Sequence, residues 1–437
     1  MLSTIRNCCY AAAMLLLVHP AADAMTLSVK CGGHGGLSSI SAALRVLQAA
    51  GGGEPSTINV SGACRENILV QNIDRLTLNA VDGASITDAS NGTAEVIDVA
   101  GSKGFTLNGF TVTTTCDATC LASGGYDVIS CYFGSDCLLI NNVVSGAGNG
   151  AGIGVYALSR VTVEGGSVRN NWAGLFANDN GEMFVLGTTI QGNSYGVYMN
   201  HGGNIAFRAG IDGVTPTTIT QNAAQGIYTN IGSSLNVKGP ASISNNGAEG
   251  IWLALGSDAF IGGGGPGPVT ISGNGGPGVA VNDASVALFG NRAQVTGNGQ
   301  TDVACNATTA VTHGVLTNIG GGLTNCPEGA PASDNVGLNS SFIMAGTGSS
   351  VMRAFILTDS ADPGCFVTLN ESNAAGAGET VFCGVRAPSL YGGRPGVMLT
   401  VFFQQPIPDG AVLWLNVRQN GARQYGPPVV CLTSDGC

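Results

Sequence analysis

Residues 152–171 read GIGVYALSRVTVEGGSVRNN, and residues 174–193 read GLFANDNGEMFVLGTTIQGN. The two stretches share one pattern: Gly-apolar-x-apolar, a short turn, a second run of β-branched residues, then Ile/Val-x-x-Asn. The closing triads recur at Val168–Asn171, Ile190–Asn193, Ile219–Asn222, Ile243–Asn246, Ile271–Asn274 and Val295–Asn298. A period of roughly 22 to 30 residues belongs to stacked-coil architectures. One such repeat cannot bury its own apolar residues, so neighbours must stack. Ile153/Val155, Leu175/Ala177, Val197/Met199, Ile227/Thr229, Ile251/Leu253 and Val279/Val281 alternate with period two, as one face of a strand does. These pairs are expected to point inward. The closing asparagines are expected to form an internal ladder of amides. Leucine does not dominate and no repeat has room for a helix, which excludes leucine-rich repeats and favours an all-strand coil.

Composition narrows the function. The chain has 437 residues, 69 of them Gly, and only 10% are charged, against about a quarter in ordinary soluble chains. The net charge is −11, and Lys30, Lys103 and Lys238 are the only lysines. Nucleic-acid binding needs a basic footprint, which this chain lacks; polyanionic substrates are disfavoured for the same reason. Arg6, the apolar run Ala11–Val18 and Ala22-Asp23-Ala24 have the layout of a secretory signal over residues 1–24, with a mature start near Met25. The apolar run is too short to span a bilayer. Twelve cysteines follow Cys8 and Cys9, in local groups: Cys31 and Cys64; Cys116, Cys120, Cys131 and Cys137; Cys305 and Cys326; Cys365 and Cys383; Cys431 and Cys437. An even count in an exported chain argues for disulfides. A zinc site at Cys116–Cys137 is the rival, but no CxxC pair occurs there. No metal and no cofactor are expected.

Residues 37–50 carry apolar residues at helical spacing and end at Gly51-Gly52-Gly53. A helix there would cover the open end of the stack. The β-helical region is placed at 25–328, a Pro/Ser/Asn/Gly linker at 329–345, and a β-rich, sandwich-like domain at 346–437. The GI-x-V…S-x-V-x-V…I-x-x-N pattern resembles the right-handed parallel β-helix of the pectin-lyase-like superfamily over about residues 30–325. That resemblance implies an all-β fold and an exported polysaccharide hydrolase, a lyase or a non-catalytic surface protein.

Between the inward pairs stand Gly154, Phe176, Tyr198, Tyr228, Trp252 and Ala280, followed two residues later by Tyr156, Asn178, Asn200, Asn230, Ala254 and Asn282. Coils about 4.8 Å apart would line up Phe176, Tyr198, Tyr228 and Trp252 as an aromatic stripe beside an amide stripe of Asn178, Asn200 and Asn230. Such a face suits an extracellular polysaccharide. It could equally be cross-strand packing. Asp179 and His201 fall at equivalent places on adjacent coils and are the candidate acid–base pair. Glu182 lies nearby, and Asp98 falls on the outward row of an earlier coil. Asn200-His201-Gly202 resembles the His-Gly element of polygalacturonase-like hydrolases, although one Asp stands where that group has a pair. The alternative function is a non-catalytic surface or adhesive protein using the coils as a rigid spacer.

Overall fold

The computed structural model describes residues 24–305 with their side chains, apart from 34, 35, 52, 116–124, 264, 284, 291 and 300; from 306 onward it describes the backbone of the strands alone. Of the expected signal over residues 1–24, residues 1–23 lie outside the described residues, as do Cys116, Cys120, Cys326, Cys365 and Cys437.

Each coil contributes one strand to each of three parallel sheets of 11, 12 and 10 strands. In one coil these are Ala173–Ala177 in the first sheet, Glu182–Leu186 in the second and Thr189–Gln191 in the third. The next coil repeats them as Tyr195–Met199, Asn204–Arg208 and Thr217–Thr220. The register pairs Leu175 with Val197, Val185 with Phe207 and Ile190 with Ile219. The chain therefore forms a right-handed parallel β-helix. All twelve residues of the inward pairs are at most 1% exposed. Burying one such aliphatic side chain stabilises by about 1.5–3 kcal/mol, and the core runs unbroken through the stack.

The closing asparagines form the expected ladder. Asn171 Nδ2 donates to Asn193 Oδ1 (3.0 Å), and the same bond links Asn193 to Asn222, Asn222 to Asn246, Asn246 to Asn274 and Asn274 to Asn298. Each receiving Oδ1 also accepts the backbone N–H of the preceding rung, as when Asn193 N–H donates to Asn222 Oδ1. The amides thus satisfy turn groups that would cost about 1–3 kcal/mol each if buried unpaired. A second ladder, of serines, runs along another corner. Ser102, Ser135, Ser233 and Ser257 each donate a backbone N–H to the Oγ of the serine one coil on. It is interrupted at Gly181 and Gly203, the coils of Asp179 and His201.

The helix spans Ile40–Ala49 and buries Ile40, Ala43, Leu44 and Leu47 against the first coils. Ser39 caps it, and Glu66 accepts the N–H groups of Ile40 and Ser41, a carboxylate where the helix dipole favours one. Ahead of it, Met25–Lys30 pairs in parallel with Ser56–Ser61. Disulfides join Cys31 to Cys64 and Cys131 to Cys137, and Cys305 is disulfide-bonded. Two of the four thiols considered for zinc are thereby unavailable as ligands. Beyond the coils, seven strands from Asn339 to Cys431 pair antiparallel. The first of them, Asn339–Ala345, occupies the end of the segment whose Ser/Asn/Gly composition reads as linker.

Candidate functional site

The register of the first sheet lines up Leu69, Asp98, Ser130, Gly154, Phe176, Tyr198, Tyr228, Trp252 and Ala280 as one outward row. Phe176, Tyr198, Tyr228 and Trp252 are half-buried along it. Tyr198 stacks on Tyr228 with centroids 4.8 Å apart and planes 23° apart, and Tyr228 lies 9° from coplanar with Trp252 at 6.4 Å. Phe176 meets Tyr198 edge-on at 5.6 Å.

The stripe is wider than strand parity implies. Trp172 lies 5.2 Å from Tyr198, and Tyr195 lies 5.4 Å from both Tyr198 and Trp172. Parity assigns Tyr195 to the inside, since it pairs with the buried Ala173. The glycine that follows it carries no Cβ: one on Gly196 would lie 2.4 Å from the Gly226 carbonyl. At this strand start the ring turns to the surface. Tyr195 directly precedes a Gly-apolar pair, and Trp172 has the outward parity of Gly174 and Phe176; those were the available signals.

Beside the rings, Asn178, Asn200 and Asn230 are half-buried. Asn230 Nδ2 reaches Asn200 Oδ1 at 3.4 Å. Asp179 and His201 do occupy equivalent turn positions, since Leu158 N–H donates to Asp179 O and Asn180 N–H donates to His201 O. Both adopt left-handed backbone, with φ of 51° and 44°, a region where Asp, Asn and His are enriched. Both are exposed. They do not bond to one another. Asp179 Oδ2 accepts from Asn178 Nδ2 (3.0 Å), while His201 Nδ1 lies 2.9 Å from Asn200 Nδ2 and 3.2 Å from Asn178 Oδ1. A ring nitrogen can accept from the first or donate to the second, not both. Glu182 pairs with Arg160 on the second sheet (3.1 Å).

The other end of the row carries carboxylates. Tyr132 donates its hydroxyl to Asp98 Oδ2 (2.9 Å), while Asp98 Oδ1 has no partner among the described residues. Burial raises the Asp98 carboxyl to about 6, against the lowering bond from Tyr132 and with a smaller push from Glu95. Asp127 is 7% exposed. Its Oδ1 accepts the Ala151 N–H (2.7 Å) and its Oδ2 accepts the Tyr156 hydroxyl (2.6 Å). Burial lifts it to about 7, outweighing those two bonds. Burial and then the Asp127 charge drive the Tyr156 phenol far above its ordinary range. Gly154 makes this arrangement possible: a Cβ there would stand 1.9 Å from Asp127 Oδ2. That oxygen takes the place of a Gly154 side chain on the row. Tyr156 in turn lies edge-on to Phe176 at 5.5 Å, so the carboxylate end and the aromatic stripe are continuous. Asp127 precedes its strand and follows no period, which hid it in the sequence.

Among the described residues, one group has metal-ligand spacing: Cys31, Cys64 and Glu66. It offers no site, because the two sulfurs are bonded to each other and Glu66 caps the helix. No helix among the described residues is long and apolar enough to cross a membrane.

Stacked coils with one decorated outer row define a right-handed β-helix protein. The right-handed β-helix region family matches residues 95–263, the stretch that holds the row from Asp98 to Trp252. Solved structures similar to the chain include the Dettilon tailspike protein gp208, at 12% identity over 87% of this chain and 90% of that one, TM-score 0.37. The enzymatically active domain of bacteriophage CBA120 tailspike protein 2 is 10% identical over 90% and 74%, TM-score 0.43. PfbA, a surface adhesin of Streptococcus pneumoniae, is 8% identical over 58% and 72%, TM-score 0.28. A search of curated proteins gives no match.

Proposed function

We propose that this chain is an exported protein that engages an extracellular polysaccharide along the outward row of the first sheet. The observation that carries the reading is the continuous half-exposed platform of Trp172, Phe176, Tyr195, Tyr198, Tyr228 and Trp252. Contiguous apolar patches on soluble proteins mark contact surfaces. Rings stacked at coil spacing offer flat faces to sugar rings, and Asn178, Asn200 and Asn230 offer amides to their hydroxyls. The low lysine count and acidic balance favour a neutral or amide-bearing glycan over a polyuronate. Disulfides agree with an oxidising, extracellular setting. The region boundaries 25–328, 329–345 and 346–437 are part of this proposal.

Asp179 and His201 border the platform. As acid and base they would make the protein a hydrolase or lyase there; as rim residues they would only bond to sugar hydroxyls. Asp179→Ala and His201→Ala separate the two roles, since an acid–base role requires turnover to collapse and a rim role changes binding alone. The non-catalytic surface-protein reading is favoured by the absence of a hydrogen bond between these two side chains. Glycan-array binding of the full chain tests the platform itself: Tyr198→Ala with Trp252→Ala must abolish it, and unchanged binding sinks the reading.

A further inference from the structure

We infer that the polysaccharide bound along the platform is built from N-acetylated sugars, and that Ile231 and Leu255 hold the acetamido methyl groups at the corner beside the amide row. The inference rests on the binding reading above and deepens it by naming the substituent that the glycan carries.

The corner where the first sheet turns into the second has one position in common on successive coils. Ala157, Asp179, His201, Ile231, Leu255 and Asp283 each offer their carbonyl to an N–H of the preceding coil. Each has left-handed backbone, with φ between 44° and 51°. Asp and His are enriched in that region, whereas a bulky or β-branched residue is an outlier there, its Cβ crowding the following carbonyl oxygen. The turn itself does not demand an aliphatic residue, since the neighbouring coils fold with Asp179, His201 and Asp283 in the same place. Nor does the core, since Ile231 is 39% exposed and Leu255 53%. One exposed leucine needs no explanation. Two large aliphatic residues on consecutive coils, both in a backbone state that disfavours them, are the kind of strain that persists where a surface makes contact.

Their position gives the contact its chemistry. Across one coil the outer face runs Tyr228, Asn230, Ile231; across the next it runs Trp252, Ala254, Leu255. Two residues of extended chain, about 6.6 Å, separate the ring from the amide position, and the aliphatic side chain follows at the turn. An N-acetylated pyranose presents the same groups in the same order: sugar ring, amide, methyl. With the sugar ring over Tyr228 and Trp252, its acetamido group lies over the amide row and the methyl reaches the corner. Asn230 gives one amide hydrogen to Asn200 and keeps a second, which an acetamido carbonyl can accept. The methyl leaves water against Ile231 and Leu255.

The same face disfavours other substituents. From Phe176 to Trp252, and across to Leu255, the aromatic, amide and corner rows hold no Lys and no Arg. A uronate, sulfate or phosphate on the sugar would find no opposite charge there. A free amino group in place of the acetamido group would be desolvated against two aliphatic side chains. A plain hydroxyl would leave both of them uncovered.

The test uses the full chain with chitohexaose, cellohexaose and the glucosamine hexamer. These share one backbone linkage and differ only in the substituent on the second sugar carbon: acetamido, hydroxyl or amine. Titration calorimetry should find chitohexaose bound at least about 10-fold more tightly than the other two. The double variant Ile231→Asn with Leu255→Asn replaces both aliphatic groups by a residue that accepts left-handed backbone. It should bring the chitohexaose dissociation constant to the cellohexaose value, with a thermal unfolding midpoint equal to or above the native one. Ile211→Ser with Val214→Ser changes exposed aliphatic residues on the loop after Arg208 and should leave all three constants unchanged. Chitohexaose binding no tighter than cellohexaose binding overturns this inference and leaves the platform reading standing. So does a preference undiminished in the corner variant, or one lost together with a lowered midpoint, which would make the corner a structural element. Absence of binding to all three sugars removes the platform reading and this inference together.

Discussion

Tyr198→Ala is the most demanding perturbation of the platform. Its ring touches four others, those of Trp172, Phe176, Tyr195 and Tyr228, at centroid distances of 5.2, 5.6, 5.4 and 4.8 Å. Aromatic pairs contribute about 0.5–1.5 kcal/mol each beyond the area they bury. Four pairs would total roughly 2–6 kcal/mol, and repacking of the exposed neighbours brings the expected loss of folding stability to the lower half of that range. Truncating an aromatic anchor at the centre of a contact surface costs at least about 2 kcal/mol of binding, which corresponds to roughly 30-fold in dissociation constant. Tyr198→Phe keeps every ring contact and should lose only a small part of either. Phe184 lies on the second sheet under Arg208, 5.4 Å from its ring, so Phe184→Leu should leave glycan affinity alone. Titration calorimetry with a bound hexasaccharide, beside thermal unfolding of each variant, reads both quantities. A folded Tyr198→Ala protein with native affinity would refute the platform, whatever its stability.

Other outcomes follow from the same geometry. Asn222→Ala strands the backbone N–H of Asn193, whose side-chain amide keeps the Val168 and Gln191 carbonyls, so chemical denaturation should register a loss of roughly 1–3 kcal/mol for one buried donor. Asp127 has a folded pKa of about 7, raised from 3.8; the native state therefore holds the extra proton across that interval. Unfolding free energy should fall as pH rises from about 4 to about 7, and Asp127→Asn should flatten that slope. Gly154→Ala forces a methyl group against Asp127 Oδ2 and should cost about 1–3 kcal/mol, visible as a lower unfolding midpoint. Cys31–Cys64 closes a 33-residue separation, so Cys64→Ser should lose about 3–4 kcal/mol of loop-closure stabilisation, read by hydrogen exchange in the first coils.

The coil was legible because its chemistry is periodic. Val168, Ile190, Ile219 and Ile243 each stand three residues before an Asn, and each pair lands in the same place in space. The outward row from Gly154 to Ala280 followed from parity alone. What escaped was whatever breaks the period. Tyr195 joins the platform because a glycine frees its strand start from parity, and Trp172 joins it from just ahead of its strand. Asp127 reaches the row from outside a strand, into a vacancy that only Gly154 creates. Ser135, Ser233 and Ser257 build a ladder from residues too common in turns to draw notice. Asp179 and His201 stand at equivalent turn positions, yet coil equivalence fixes backbone position and leaves the side chains free to bond elsewhere.

The asparagine ladder has a further consequence, for how the protein can vary. Successive rungs are separated by 22, 29, 24, 28 and 24 residues, yet the amide-to-amide distance stays between 2.9 and 3.1 Å. The longest interval includes an extra loop after Arg208, held by Asp212 through its own bonds to Val214 and Thr215. The pitch of the stack is thus kept by a vernier that takes no notice of how much chain lies between its marks. Insertions at the corners can lengthen, shorten or be exchanged without shifting the row of rings by a coil. A lineage, or an engineer, can rewrite the ornament on this column while the ruler beneath it stays in register.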